Sequence, residues 1–237
     1  MAETMRLDKF LSNMGWGSRK EVKQLIKDKQ VKWEAQIITN PDFVVDTAIH
    51  RIFVKGMEVG YQKHVYILLN KPAGVVSATE DNRDQTVIDL LDHPRKHQLF
   101  PVGRLDKDTE GLLLLTDDGE LSHQLLSPKK HVQKTYYAKI DGKVTQEDVK
   151  RFKEGIVLED GYTCLPGELV IIQATPSASE IHLTITEGKF HQVKRMFEAT
   201  GKSVTYLQRI RFADLVLPDD LPLGEWFEIQ KGEIVHE

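Results

Sequence analysis

Five carboxylates crowd the ends of one apolar run in VGRLDKDTEGLLLLTDDGEL, residues 102–121. Asp106, Asp108 and Glu110 come before the leucines, and Asp117 and Asp118 follow them. Carboxylates beside a buried strand cost free energy unless they are paired, hydrogen-bonded or used in chemistry. Asp117-Asp118-Gly119 reads most simply as a turn with a helix cap. Asp108 and Glu110 stand near the strand entrance, where they can shape a loop. Asp106 differs in its neighbours: it follows Gly103-Arg104-Leu105, so a basic side chain stands two residues away. Small residues and charges at the entrance of a strand mark a site loop.

Other chemistries find little support. The nine histidines include no pair at helical spacing with a glutamate between them, and the single cysteine, Cys164, leaves no thiolate cluster or disulfide framework. No metal is expected, and His182 and His191 read as structural or as contacts to a bound partner. A phosphate-cradling Gly-rich loop and a Gly-x-Ser-x-Gly nucleophile motif are both absent. The chain has 237 residues, 29% charged and 40% hydrophobic, a globular balance. No apolar run approaches the ~18 residues needed to span a bilayer, and the first residues are charged rather than signal-like. The cytoplasm is the expected compartment, with no membrane partner and a monomeric state.

The elements that must position these residues follow from periodicity. Leu7, Phe10, Leu11 and Met14 recur at helical spacing up to Gly15, and Ser18 with Glu21 forms a capping box for a second helix burying Val22, Leu25 and Ile26. Short strands are expected around Val31, Trp33, Ile37 and 51–55, with a boundary near 56–63. A strand over 64–69 ends in the turn Asn70-Lys-Pro-Ala-Gly74, beyond which 75–77 continue it. A short helix covers 119–126 and stops at Ser127-Pro128. A strand covers 135–140, and Thr145 with Asp148 caps a helix burying Val149 and Phe152. Ile181, Leu183 and Ile185 alternate inward on a strand over 180–186. A helix over 190–200 buries Val193, Met196 and Phe197. Strands with interspersed helices indicate an α+β protein.

Net charge is −4, but its distribution is uneven. Residues 1–30 hold seven Lys/Arg against four Asp/Glu, whereas 61–237 hold 22 against 28. Arg19, Lys23 and Lys27 stack along one helix face beside Lys20, which reads either as a solvated surface or as a phosphate-tracking stripe. RLDKFLSNMGWGSRKEVKQLIKDKQV resembles the S4-type RNA-binding domain over roughly residues 5–55. That family places Asn-Gly where this sequence has Glu34-Ala35. The resemblance implies RNA contacts by Arg6, Lys9, Arg19, Lys20, Lys23 and Lys27.

A second resemblance is carried by GRLDKDTEGLLLLTDDGEL together with NKPAGVVSA (70–78), KTYYAKI (134–140) and EGKFHQVKRMF (187–197). In this order they resemble the motifs of the RNA pseudouridine synthases, in the branch acting on small-subunit ribosomal RNA. The implied organisation is a small α/β S4-like domain over 1–59, then a mixed, largely antiparallel-sheet catalytic domain over 60–237. The implied catalytic residues are Asp106, Tyr136 and Lys189, with Lys189 as the cation paired to the aspartate and Lys194 and Arg195 close by. Arg104, Lys194 and Arg195 join the expected RNA contacts.

The implied reaction breaks the N1–C1′ bond of uridine and makes a C5–C1′ bond. Nothing is oxidised and no group is imported, so no cofactor is expected. Asp106 then adds to C1′, adds to C6, or stabilises a glycal-like intermediate, and Tyr136 stacks on a base taken out of the RNA. The expected substrate is 16S ribosomal RNA or an assembly intermediate. Two rivals stand: a ribosome-assembly RNA-binding protein without catalysis, and a glycosidase using two carboxylates.

Overall fold

The computed structural model describes residues 3–235. The chain divides into two compact units, Met1–His64 with Asp92–His97, and Val65–Leu91 with Gln98–Glu237. This division puts residues 60–64 and 92–97 with the first unit, where the sequence suggests a cut after residue 59. Among the described residues, no helix is long and apolar enough to cross a membrane.

In the first unit β1 (Thr4–Arg6) leads into α1 (Leu7–Asn13) and α2 (Arg19–Lys27), followed by β2 (Val31–Trp33), β3 (Gln36–Ile37), β4 (Val44–Asp46), β5 (Ile52–Val54) and β6 (Met57–Val59). Strands β3, β2, β5 and β6 form one sheet in that order, and β1 pairs with β4. The capping box forms: the Glu21 carboxylate accepts from the Ser18 N–H at 2.7 Å, and Ser18 accepts from the Glu21 N–H. Val22 and Ile26 enter a core with Leu7, Phe10, Leu11 and Ile52. The lysines and Arg19 stay outside it, so one amphipathic pattern sets both the packing and the basic face. Glu34-Ala35 turns the β2–β3 hairpin, with Glu34 at φ 50°, the left-handed conformation that a two-residue hairpin demands.

The second unit contains β7 (Tyr66–Lys71), β8 (Phe100–Pro101), β9 (Glu110–Thr116), α3 (Gly119–Leu126), β10 (Lys134–Asp141), α4 (Gln146–Glu154), β11 (Glu168–Ala174), β12 (Ala178–Ile185), α5 (Gln192–Glu198), β13 (Ser203–Phe212), β14 (Leu215–Val216), β15 (Trp226–Glu228) and α6 (Lys231–Ile234). Its nine-stranded sheet runs β11-β12-β10-β13-β9-β7-β15, with β8 and β14 attached at β9 and β13. All pairings in this sheet are antiparallel except β9 with β13. The leucine run is apolar throughout because both of its faces are covered. Leu113 and Leu115 enter one core with Ile67, Leu69 and Met196, while Leu112 and Leu114 enter another with Leu121, Leu125 and Phe212. Strand β12 instead buries only alternate residues, Ser179, Ile181, Leu183 and Ile185.

Two elements differ from the sequence expectation. The helix expected over 190–200 begins at Gln192, because the chain takes a left-handed turn at His191, φ 49°. The Gln192 side chain fixes that turn by accepting from the Lys189 N–H at 2.8 Å. The strand expected to resume over 75–77 makes only an isolated bridge between Val76 and Thr86, since Pro72 and the left-handed Gly74 (φ 87°) end β7.

Candidate active site

Asp106 lies in the loop between β8 and β9, and the 70–78 stretch holds that loop by its backbone. The Lys71 ammonium donates to the carbonyls of Pro72 (3.0 Å), Asp106 (3.1 Å), Lys107 (3.4 Å) and Thr109 (2.8 Å). The Gly74 N–H donates to Lys107 O at 2.7 Å. The Ser77 hydroxyl donates to Leu105 O at 2.9 Å and accepts from the Leu105 N–H at 3.0 Å. Lys71 is fully buried, and four carbonyl dipoles stand where a counterion would be. Burial pulls its pKa down to about 8, against the opposing charges of Asp108, Asp106 and Glu110.

At the far end of β9, Asp118 caps α3 by accepting from the Leu121 N–H at 3.0 Å and also accepts the Tyr66 hydroxyl at 2.8 Å. Asp117 accepts from the Val65 N–H at 3.0 Å. The two distal carboxylates are therefore turn and cap. Glu110 accepts the Tyr206 hydroxyl at 2.7 Å.

The Asp106 side chain faces two basic side chains contributed by α5 and its approach. Asp106 Oδ2 lies 3.3 Å from Lys194 Nζ, and Oδ1 lies 3.6 Å from His191 Nε2. Lys194 also bridges to Asp108 Oδ1 at 2.7 Å. Burial draws the Lys194 ammonium down, but the hydrogen bond to Asp108 and the charges of both aspartates outweigh it and leave its pKa raised. The same hydrogen bond holds the Asp108 carboxyl below its ordinary range.

The motif resemblance implies Lys189 as the cation paired with Asp106; the geometry gives that place to Lys194. Lys189 precedes the left-handed turn at His191, and its ammonium lies over the Tyr162 ring, 4.8 Å from the centroid. Lys194 sits in the first turn of α5 and reaches the aspartate loop. Arg195 is held by Asp160 at 2.5 Å. Arg104 is exposed and lines the cavity beside Asp106.

Tyr136 enters from β10, nearly buried. It lines, with Asp106, Lys189, His191 and Lys194, a cavity of about 170 Å³ whose inner wall is Leu207, Arg209 and Phe212. Arg209 does not stand out in the sequence. It is buried, and its Nε donates to Leu112 O at 2.9 Å. Burial pulls its pKa down. No sequence signal reveals it, because its inward register in β13, in phase with Leu207, shows only in the fold. Gly111 makes this proximity possible. A Cβ there would stand 2.7 Å from Arg209 N and closer still to Arg209 O, so β9 and β13 can run parallel at this point only past a glycine.

Among the described residues, no group of three His, Cys, Asp or Glu stands close enough to hold a metal ion. On the first unit, Lys9, Arg19, Lys20, Lys23 and Lys27 are exposed, with Lys23 3.9 Å from Asp8. Arg6 is engaged by Asp8 at 2.9 Å and Asp42 at 2.5 Å.

A caged loop offering one carboxylate to a small cavity, beside two basic side chains and a tyrosine, suits chemistry on a single flat base. The profile of the RNA pseudouridylate synthases matches residues 65–199, and that of the S4 domain matches residues 5–48. The chain belongs to the RNA pseudouridylate synthase family. It is 45% identical to an uncharacterised RNA pseudouridine synthase of Bacillus subtilis, over 97% of each chain. It is 39% identical to the ribosomal large subunit pseudouridine synthase B of the same organism, over 97% of this chain and 93% of the relative. It is 38% identical to the ribosomal small subunit pseudouridine synthase A of Vibrio parahaemolyticus, over 97% of this chain and 98% of the relative. A crystal structure of a pseudouridylate synthase superposes with a TM-score of 0.68 at 34% identity, over 97% of this chain and 98% of that one. The pseudouridine synthase is thus an RNA-modifying isomerase, with an S4 domain before the catalytic sheet.

Proposed function

We propose that this synthase isomerises a uridine of small-subunit ribosomal RNA in the Asp106 cavity, with Asp106 as the reacting carboxylate. The observation that carries the reading is the Asp106 loop itself. Its backbone is fixed by Lys71, Gly74 and Ser77, and its carboxylate lies against Lys194 in a cavity large enough for one base. Preorganisation of this kind lowers the cost of arranging charge at the moment of reaction.

The reaction balances within the substrate. The N1–C1′ bond breaks, the uracil turns, C5 bonds to C1′, the C5 proton leaves and N1 gains one. Tyr136 supplies a ring beside the base, and Lys194 holds the carboxylate. Lys189 serves as a cation at the rim rather than as the partner of Asp106. The reaction requires no cofactor, so activity should survive EDTA. The S4 domain grips the RNA through its exposed basic residues. The enzyme acts as a monomer, since its cavity is lined within one unit, and in the cytoplasm, where a lone thiol such as Cys164 stays reduced.

Small-subunit RNA is supported by the full-length similarity to a small subunit synthase. The comparable similarity to a large subunit synthase makes large-subunit RNA the second reading. Incubation with 16S and large-subunit transcripts, followed by pseudouridine mapping, decides between them. Conversion confined to large-subunit RNA overturns the small-subunit assignment. Binding of both with no conversion, on transcripts and on assembly intermediates alike, favours a silent RNA-binding factor instead.

A further inference from the structure

Phe190 is the most exposed large hydrophobic residue among those described, at 76%. Soluble proteins leave single apolar side chains exposed without consequence, so exposure alone decides nothing. The setting of this ring does. One face of Phe190 rests on the His191 imidazole, with centroids 3.8 Å apart and planes 18° apart. His191 lines the Asp106 cavity and places Nε2 3.6 Å from Asp106 Oδ1. The phenyl ring is therefore one stacking distance from a wall of the reaction cavity.

The pair is also held. Gln192, itself buried, accepts from the Lys189 N–H at 2.8 Å and donates to Glu187 Oε1 at 2.6 Å. Its own N–H donates to Lys189 O at 3.1 Å. These bonds brace the chain on both sides of the left-handed His191. The backbone that carries the ring is therefore fixed, which lowers the ordering cost when something stacks on it.

The enzyme takes a base out of an RNA stack, and each neighbour of that base loses a stacking partner. We infer that Phe190, backed by His191, is a stacking platform for the nucleobase flanking the target uridine. This rests on the reading of the Asp106 cavity as the place of reaction. Every base has a π face, so the platform accepts any neighbour, with purines favoured by their larger area. Its ligand is a base of the substrate strand, distinct from the uridine that enters the cavity beside Tyr136.

The test compares Phe190→Ala, Phe190→Leu and Phe190→Trp in the full-length enzyme, with thermal melting to confirm the fold. Affinity is measured on the 16S transcript, and stacking is read from the fluorescence of a single-stranded RNA carrying one 2-aminopurine. Base–aromatic stacking is worth enough that Phe190→Ala and Phe190→Leu should each weaken RNA binding by roughly 5- to 150-fold. KM should rise with little change in kcat. Phe190→Trp should retain wild-type affinity, and quenching of 2-aminopurine should follow the aromatic side chains alone. Wild-type affinity in Phe190→Ala overturns the proposal. Full rescue by Phe190→Leu overturns it too, because an apolar protein contact would then explain the residue. A fall in kcat at unchanged KM also overturns it, since Phe190 would then be shaping the cavity. Binding and quenching need no turnover, so they stay informative if the enzyme converts neither ribosomal RNA.

Discussion

At the scale of the residue, one carboxylate and one ammonium carry the proposed chemistry. Asp106→Asn keeps the size of the side chain and a hydrogen-bonding oxygen toward Lys194, but removes the charge and the nucleophilicity. Turnover should fall at least ~10²-fold while RNA affinity and melting temperature stay near wild type. Single-turnover conversion within tenfold of wild type would move the role to Asp108. Lys194→Met removes the cation 3.3 Å from Asp106, whereas Lys189→Met removes one placed over Tyr162. A steady-state comparison should therefore show kcat falling much further for Lys194→Met, with Lys189→Met acting mainly on KM. Equal kcat losses would return Lys189 to the chemistry. This contrast marks a limit of reading the sequence. Asp106 and Tyr136 are singled out by the resemblance alone, since Asp108 and Tyr137 share their motifs. Lys189, Lys194 and Arg195 fall within seven positions of one motif. Which of them faces the aspartate depends on the left-handed turn at His191, and nothing in the residue types announces a non-glycine residue at positive φ.

At the scale of the element, strongly patterned stretches are legible in the sequence and ambiguous ones are not. The leucine run, the alternating β12 and the two N-terminal helices appear where periodicity puts them, because burial on one or both faces leaves its period in the sequence. Strand β13 is not legible: Gln208, Arg209 and Arg211 obscure its alternation, although Leu207 and Phe212 are buried. Pro72-Ala-Gly74 is legible as a turn, although Asn70 and Lys71 still belong to β7, but the support this stretch gives a second loop is not legible. Only the fold brings Lys71 to the carbonyls of Asp106, Lys107 and Thr109. That cage has a pH signature. The folded Lys71 pKa of about 8 lies below the unfolded value of ~10.4, so the unfolded chain binds more protons between the two. This lysine's contribution to stability should rise with pH through that window. Turnover should fall there, because a neutral amine offers two N–H groups to four carbonyls and the loop loosens. Lys134, also pulled down by burial to about 8, contributes with the same sign to stability. Melting and turnover of wild type and Lys134→Met between about pH 7 and 10 separate them, since the variant should keep the fall in turnover if Lys71 is its source. A flat pH–rate profile in the variant would show that the cage does not need its full charge.

At the scale of the whole molecule, the protein divides its labour between a basic unit and an acidic one. The chain is net negative at −4, yet its substrate is a polyanion, so affinity must come from a local concentration of positive charge. The proposed source is the face of α2. Arg19, Lys20, Lys23 and Lys27 are exposed, while Val22 and Ile26 anchor the helix to its own core, so lysines can be removed without disturbing the packing. Lys20→Ala with Lys23→Ala should raise the apparent Kd and flatten its dependence on salt by up to ~0.7–0.9 log units for each phosphate left without its cation. Lys23 also lies 3.9 Å from the buried Asp8, but Asp8 keeps its hydrogen-bonded pairing with Arg6, so melting should change little. At saturating RNA, kcat should stay near wild type, because the proposed reacting groups belong to the other unit. Two results would break the division of labour in different ways. Unchanged affinity and salt slope would make the stripe a solvated surface, leaving the grip to other residues. A loss of kcat that saturation cannot restore would mean that the S4 domain sets where the uridine lies, and that positioning as well as affinity depends on its basic face.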